Sequence, residues 1–273
     1  MGGVGGNRIR CIFNLEKRRL MGINDTTLQE QSLLFANLAS LAYGNEKDVR
    51  KSAKRFGFTN VSFFDHGGAQ AYRFENKTDI VVACRGTQPT EFNDIKADLK
   101  AVPVMAETVS RVHHGFKVEV DELWPYVSAK LMQKKDEKKK LWFCGHSLGA
   151  AMATIMSSRC MYESELINPE CLYTFGSPRV GWRKYVKSLG VKHHRFVNNN
   201  DIVTRVPMRL MGYVHHGTEH YMNSHGDMWV GYKPWRRFKD RIKGMWMGIT
   251  ELSIDNFSDH SMVNYIENIS KWK

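Results

Sequence analysis

Residues 138–156, KKKLWFCGHSLGAAMATIM, place a serine hydroxyl between two glycines where an apolar run gives way to a small-residue helical pattern. Gly145-His146-Ser147-Leu148-Gly149 fits G-x-S-x-G in the strand–turn–helix context that this pattern requires. A nucleophilic serine has to stand on a sharp, strained turn so that its hydroxyl is reached from above a sheet. Glycine flanks leave room for such a turn. The amide N–H of Leu148, the next residue, points where an oxyanion would form, and the helix N-terminus adds a favourable field.

A serine needs a base and an orienting acid, and in a strand–elbow–helix scaffold their chain order is Ser, Asp or Glu, then His. RFVNNNDIVTRVP offers Asp201 just beyond a strand-like run, and DNFSDHSMVNYI offers His260 at the head of the last helical segment. Asp227 and Asp255 are the other acids within range, and His215, His216, His220 and His225 the other bases. Position after a strand favours Asp201. A late position ahead of an amphipathic helix favours His260.

The elements that must position these residues follow from periodicity. TTLQEQSLLFANLASLAY (26–43) predicts a helix, and VSFFD and AQAYRFE around Gly67-Gly68 a hairpin. DIVVACRGT (79–87) has the pattern of a buried strand, and 118–135 reads mostly as helix, with Pro125 complicating its start. CLYTFGSP (171–178) predicts a strand, GWRKYVKSLG (181–190) a short helix closed by Gly190, and HHRFVNNNDIV (193–203) a strand and turn. In the last segment Met262, Val263, Ile266 and Ile269 fall on one helical face. Strands alternating with helices imply an α/β fold with a mostly parallel sheet covered on both faces, in one domain over 1–273.

Five segments, VVACRGT, VHHGF, FCGHSLGAAMA, YTFGSPRVG and NNNDIVTRVP, resemble in order those of the fungal-type (class 3) triacylglycerol lipase family of α/β-hydrolases. YVHHGTEHY and DHSMVNYI extend the likeness, which covers residues 80–265; the first sixty or so residues match only loosely. The resemblance implies the α/β-hydrolase fold and a serine ester hydrolase releasing fatty acids from acylglycerols through an acyl-enzyme, with no metal or cofactor. It implies Ser147 as nucleophile, Asp201 as acid and His260 as base, with Thr87, at the end of CRGT, and Leu148 as oxyanion donors. Members often carry a short helical lid after the oxyanion strand. Here Phe92, Ile95 and Leu99 form one apolar stripe within residues 88–105, bracketed by Pro89 and Pro103. The family's lid often reads D-W-x-x-D-L, and DIKADL has Ile95 in place of the Trp, which predicts weaker activation at interfaces.

Composition narrows the alternatives. The 42% hydrophobic and 25% charged residues suit a globular protein, and no run approaches the roughly 18 uncharged apolar residues of a membrane span. The N-terminus lacks the apolar core of a signal peptide, so a cytoplasmic location is the default expectation, with export by another route or loss of a leader as the alternative. Five cysteines without a CxxC argue against a disulfide scaffold or zinc ribbon. The paired histidines 113–114, 193–194 and 215–216 lie next to each other, and neighbours on a strand face opposite ways, so a metal site is not expected. The net charge of +12 is dispersed apart from KKDEKKK (134–140) and WRRFKDRIK (235–243). No nucleic-acid module is recognisable. The aromatic and apolar residues of the second cluster suit contact with anionic lipid. The expected partner is therefore a lipid substrate at a lipid–water interface, met by a monomer. Phospholipase A1 or a feruloyl-type esterase on the same scaffold is the alternative, and a catalytically silent lipid-binding protein the alternative from another class.

Overall fold

Six consecutive buried residues, Asp79–Cys84, lie parallel to Lys140–His146, of which only Lys140 reaches solvent, and these two strands form the middle of the molecule. The computed structural model describes residues 22–86, 101–133, 138–223, 226–231 and 259–272. In chain order the strands are β1 Asn60–His66, β2 Ala69–Glu75, β3 Asp79–Cys84, β4 Pro103–Met105, β5 Arg111–His113, β6 Lys140–His146, β7 Pro169–Phe175, β8 Gly181–Trp182, β9 His193–Asn198, β10 Tyr213–Val214, β11 Thr218–Met222 and β12 Met228–Val230. The helices are α1 Leu28–Leu41, α2 Glu46–Ala53, α3 His114–Met132, α4 Leu148–Tyr162, α5 Arg183–Ser188 and α6 Met262–Lys271.

Among the described residues eight strands form one sheet in the order β1-β2-β3-β6-β7-β9-β11-β12. The central pairings, β3 with β6 through to β9 with β11, are parallel, and the edge pairings are antiparallel. Strands buried on both faces carry unbroken apolar runs, which is why VVAC and LWFC show no alternation. One face is covered by α1 and α6, whose Leu34, Leu38 and Tyr265 pack with Phe35, Trp142 and Tyr173. The other is covered by α3 and α4, through Leu123, Val127, Met152 and Ile155. This is the α/β-hydrolase architecture, with helices on both faces as the alternation implies. A second sheet, β10-β8-β5-β4, is built from the connections that leave the carboxyl ends of β3, β7 and β9.

Three details differ from the periodicity reading. Helix α3 begins at His114 and carries Pro125 in its interior, because the buried stripe Phe116, Val120, Leu123, Val127 and Leu131 supplies packing on both sides of the missing N–H. Helix α5 stops at Ser188 with Leu189 N–H donating to Val186 O, and Gly190 does not adopt a left-handed φ. In α6 the inward residues are Met262, Tyr265 and Ile269, whereas Val263 is 70% exposed. The expected lid with Phe92, Ile95 and Leu99, the cluster 235–243, Cys11 and Thr87 lie outside the described residues.

Candidate active site

β6 ends at His146 and α4 begins at Leu148, so Ser147 alone makes the turn. Its φ of 58° and ψ of −129° lie where non-glycine residues are rare, a conformation costing about 1–3 kcal/mol that the surroundings must hold. Ser147 N–H donates to Phe175 O at 3.1 Å, tying the elbow to the end of β7. The flanking glycines are required by close approach. A Cβ on Gly145 would lie 2.3 Å from Gly149 O, and one on Gly149 would lie 2.2 Å from Cys84 O. Any side chain at either position would push α4 off β6 and β3. On the loop after β3, the place a Cβ would take on Gly86 is 3.1 Å from the Ser147 Cβ, so the chain at Gly86 runs against the serine. Leu148 is the first residue of α4, and its amide belongs to the first turn, which has no intrahelical acceptor.

His260 and Asp201, 59 residues apart, meet at 2.9 Å between Nδ1 and Oδ2. Asp201 is fully buried, yet its carboxylate is well satisfied. Oδ2 also accepts from Tyr265 Oη–H at 2.7 Å, and Oδ1 accepts from Val203 N–H at 2.9 Å. Burial and the neighbouring Asp201 carboxylate push the Tyr265 hydroxyl well above its ordinary pKa, so it stays a donor. The Tyr265 oxygen in turn accepts from Asn198 N–H at 3.0 Å. Asn198 Nδ2 donates to Asp259 O at 2.9 Å, and Asn200 N–H donates to an Asp259 carboxylate oxygen at 3.1 Å. These bonds strap the turn carrying Asp201 to the segment carrying His260.

The residue before the serine holds the other side of His260. His146 Nε2 lies 2.7 Å from the His260 carbonyl oxygen, which can only accept, so Nε2 carries the proton. Its Nδ1 then accepts from Tyr43 Oη–H at 2.8 Å. Burial, reinforced by the nearby His260, holds the His146 pKa well below the ordinary value and keeps the ring neutral. Gly176, in the left-handed region at φ 59°, makes space for the acid–base pair: a Cβ there would sit 2.8 Å from Asp201 Oδ2, His260 Nδ1 and His260 Cε1.

The alternatives are engaged elsewhere. Asp227 is exposed and exchanges hydrogen bonds with Asn223. His215 bonds Thr204 O, His216 pairs with His193, and His220 pairs with His194. Asp255 and His225 lie outside the described residues. Among the described residues no three His, Cys, Asp or Glu side chains are grouped to hold a metal ion. His146, Gly176 and Tyr265 lie within GHSLG, YTFGSPRVG and DHSMVNYI, but those segments alone gave them no role. Tyr265 could have been found from its place three residues after Met262 on the inward face of α6, because an inward tyrosine needs a partner for its hydroxyl.

Residues 81–211 match the family model described as Lipase (class 3). The structure superposes on the Rhizomucor miehei triacylglyceride lipase with a TM-score of 0.60 at 27% identity, over 72% of this chain and 82% of that one. By this match and this superposition the chain is similar to the class 3 lipases. A curated lipase of Rhizomucor miehei is 32% identical over 163 residues, 56% of this chain and 44% of the relative. A chloroplastic phospholipase A(1) of Arabidopsis thaliana is 37% identical over 152 residues, 48% of this chain and 34% of the relative. The chain thus spans about half or less of the length of these curated relatives.

Proposed function

We propose that this chain, one α/β-hydrolase domain over 1–273, is a class 3 lipase, a serine ester hydrolase that cleaves acylglycerols to free fatty acids. Ser147 is the nucleophile, His260 the base and Asp201 the orienting acid. The observation that carries the reading is the buried Asp201–His260 pair, in the expected chain order, held by His146, the residue before a serine on a strained elbow. Asp201 accepts the Nδ1 proton of His260 and so leaves Nε2 as the basic nitrogen. Nε2 removes the Ser147 proton as Oγ attacks the ester carbonyl. The Leu148 amide, with Thr87 as the second donor, holds the oxyanion; losing one such donor costs about 3–4 kcal/mol in barrier. The carbonyl re-forms, the C–O bond to the alcohol breaks, and the His260 proton goes to the leaving alkoxide. Water, deprotonated by His260, then attacks the acyl-enzyme and releases the acid and Ser147.

The substrate sits at a lipid–water interface and meets a monomer, with the stripe Phe92, Ile95 and Leu99 as its lid. Phospholipase A1 activity is the second reading, favoured by the Arabidopsis relative and the net charge of +12. The test is a series of nitrophenyl esters from acetyl to palmitoyl, with trioctanoin emulsion and phospholipid vesicles alongside. Turnover of long-chain esters and emulsion supports the lipase reading, and preference for vesicles supports the second. No hydrolysis of any of them rejects both.

A further inference from the structure

Away from the Asp201–His260 pair, an open pocket of about 790 Å³ lies against the small sheet. Its wall carries Arg111, Arg183, Lys184 and Arg209, and among the described residues no acidic side chain lines it. None of the four is ion-paired among the described residues. The Arg111 guanidinium sits 5.2 Å from the centre of the Trp182 ring, which holds it at the wall without neutralising it. Four cations facing one cavity repel one another, so the arrangement is stabilised by an anion.

Apolar residues on the wall, and beside it in the chain, face water. Leu210, between Arg209 and Met211 on a single 3₁₀ turn, is 96% exposed. Met208, on the same segment, and Met105, on the wall, are 59% and 62% exposed. Charged residues set around protruding aliphatic side chains match a bilayer surface, where cations meet phosphates and aliphatic groups enter the acyl layer. A nucleic acid would leave Leu210, Met208 and Met105 in water. The wall is made by segments that follow the carboxyl ends of β3, β7 and β9, and Ser147 follows the carboxyl end of β6, the strand between β3 and β7.

We propose that the pocket walled by Arg111, Arg183, Lys184 and Arg209 is a docking site for the phosphate headgroups of an anionic bilayer, with Leu210 entering the acyl layer. The proposal deepens the reading of the chain as an interfacial ester hydrolase, but it is tested by binding alone. The Ser147→Ala protein is sedimented with vesicles of equal parts phosphatidylcholine and phosphatidylglycerol, and with vesicles of phosphatidylcholine only. The site predicts strong partitioning to the anionic vesicles, weakened by added salt. R183Q/K184Q/R209Q lowers the partition coefficient about 100-fold, near fivefold for each charge removed. Leu210→Ser, with all charges retained, lowers it about tenfold. Circular dichroism verifies that these exposed substitutions leave the fold intact. Equal binding of the triple variant and its parent, equal partitioning to both vesicle types, or a loss of oligonucleotide binding with vesicle binding unchanged overturns the proposal. Because every protein in the assay carries Ser147→Ala, failure of the hydrolase reading leaves these outcomes unaffected.

Discussion

On the proposed hydrolase reading, Gly176→Ala should suppress activity through one methyl group. Gly176 holds φ 59°, and the new Cβ would stand 2.8 Å from Asp201 Oδ2, His260 Nδ1 and His260 Cε1, well inside van der Waals contact. Relief requires the pair to move by most of an ångström, since the shortfall from an ordinary contact of about 3.5–4.0 Å is about that large. A displacement of about 1 Å at a catalytic group costs about 10²-fold in rate. The backbone strain of alanine at positive φ adds about 1–2 kcal/mol of instability. Gly68→Ala separates the two effects. Gly68 sits in the β1–β2 turn at φ 89°, and a Cβ there meets nothing within 4 Å. Both variants should carry the backbone cost in urea, Gly176→Ala losing more because of its clash, while only Gly176→Ala loses about 10²-fold in kcat on nitrophenyl butyrate. Equal kcat for the two folded variants would refute the claim that the pair beside Gly176 performs the acid–base step.

Further consequences follow from the same geometry. Tyr265→Phe leaves the buried Asn198 N–H without an acceptor and removes one of three donors to Asp201, so it should cost about 1–3 kcal/mol in urea unfolding. Asp201→Asn, which forces the wrong His260 tautomer, should cost about 10⁴-fold in kcat. Burial holds His113, His194 and His220 at about 4 when folded, below the ordinary value for histidine. The unfolded chain therefore binds more protons below pH ~6.5. The stability these rings contribute is complete above that pH and declines as pH falls towards 4, at up to about 1.4 kcal/mol per pH unit for each ring. A urea midpoint unchanged from pH 7 to pH 5 would contradict this. Cys84, Cys144, Cys160 and Cys171 are buried, and burial pushes their thiols up, so no more than one of the five cysteines should react with a thiol reagent until the protein unfolds.

The strand–turn–helix context of GHSLG was legible because it is local: seven residues of β6, one turn residue and α4 are contiguous in the chain. Asp201 and His260 were legible by order and by resemblance, and their 2.9 Å contact adds geometry that order cannot supply. The supporting residues were not legible. Tyr265 reaches Asp201 across 64 residues, and Tyr43 reaches His146 across 103, so no spacing rule connects them. Gly176 looks like any strand-end glycine until the side chains it accommodates are in place. The stripe assigned to α6 failed at Val263 for a related reason. Hydropathy ranks valine above tyrosine for burial, but the inward position contains hydrogen-bond partners that only Tyr265 can use.

The most direct test of the account is the site and rate of covalent labelling by a fluorophosphonate. The account predicts a single adduct, on the peptide containing Ser147, which disappears in Ser147→Ala and forms at least about 10³-fold more slowly in His260→Ala. An adduct on another residue, or labelling of Ser147 at an unchanged rate without His260, would contradict it.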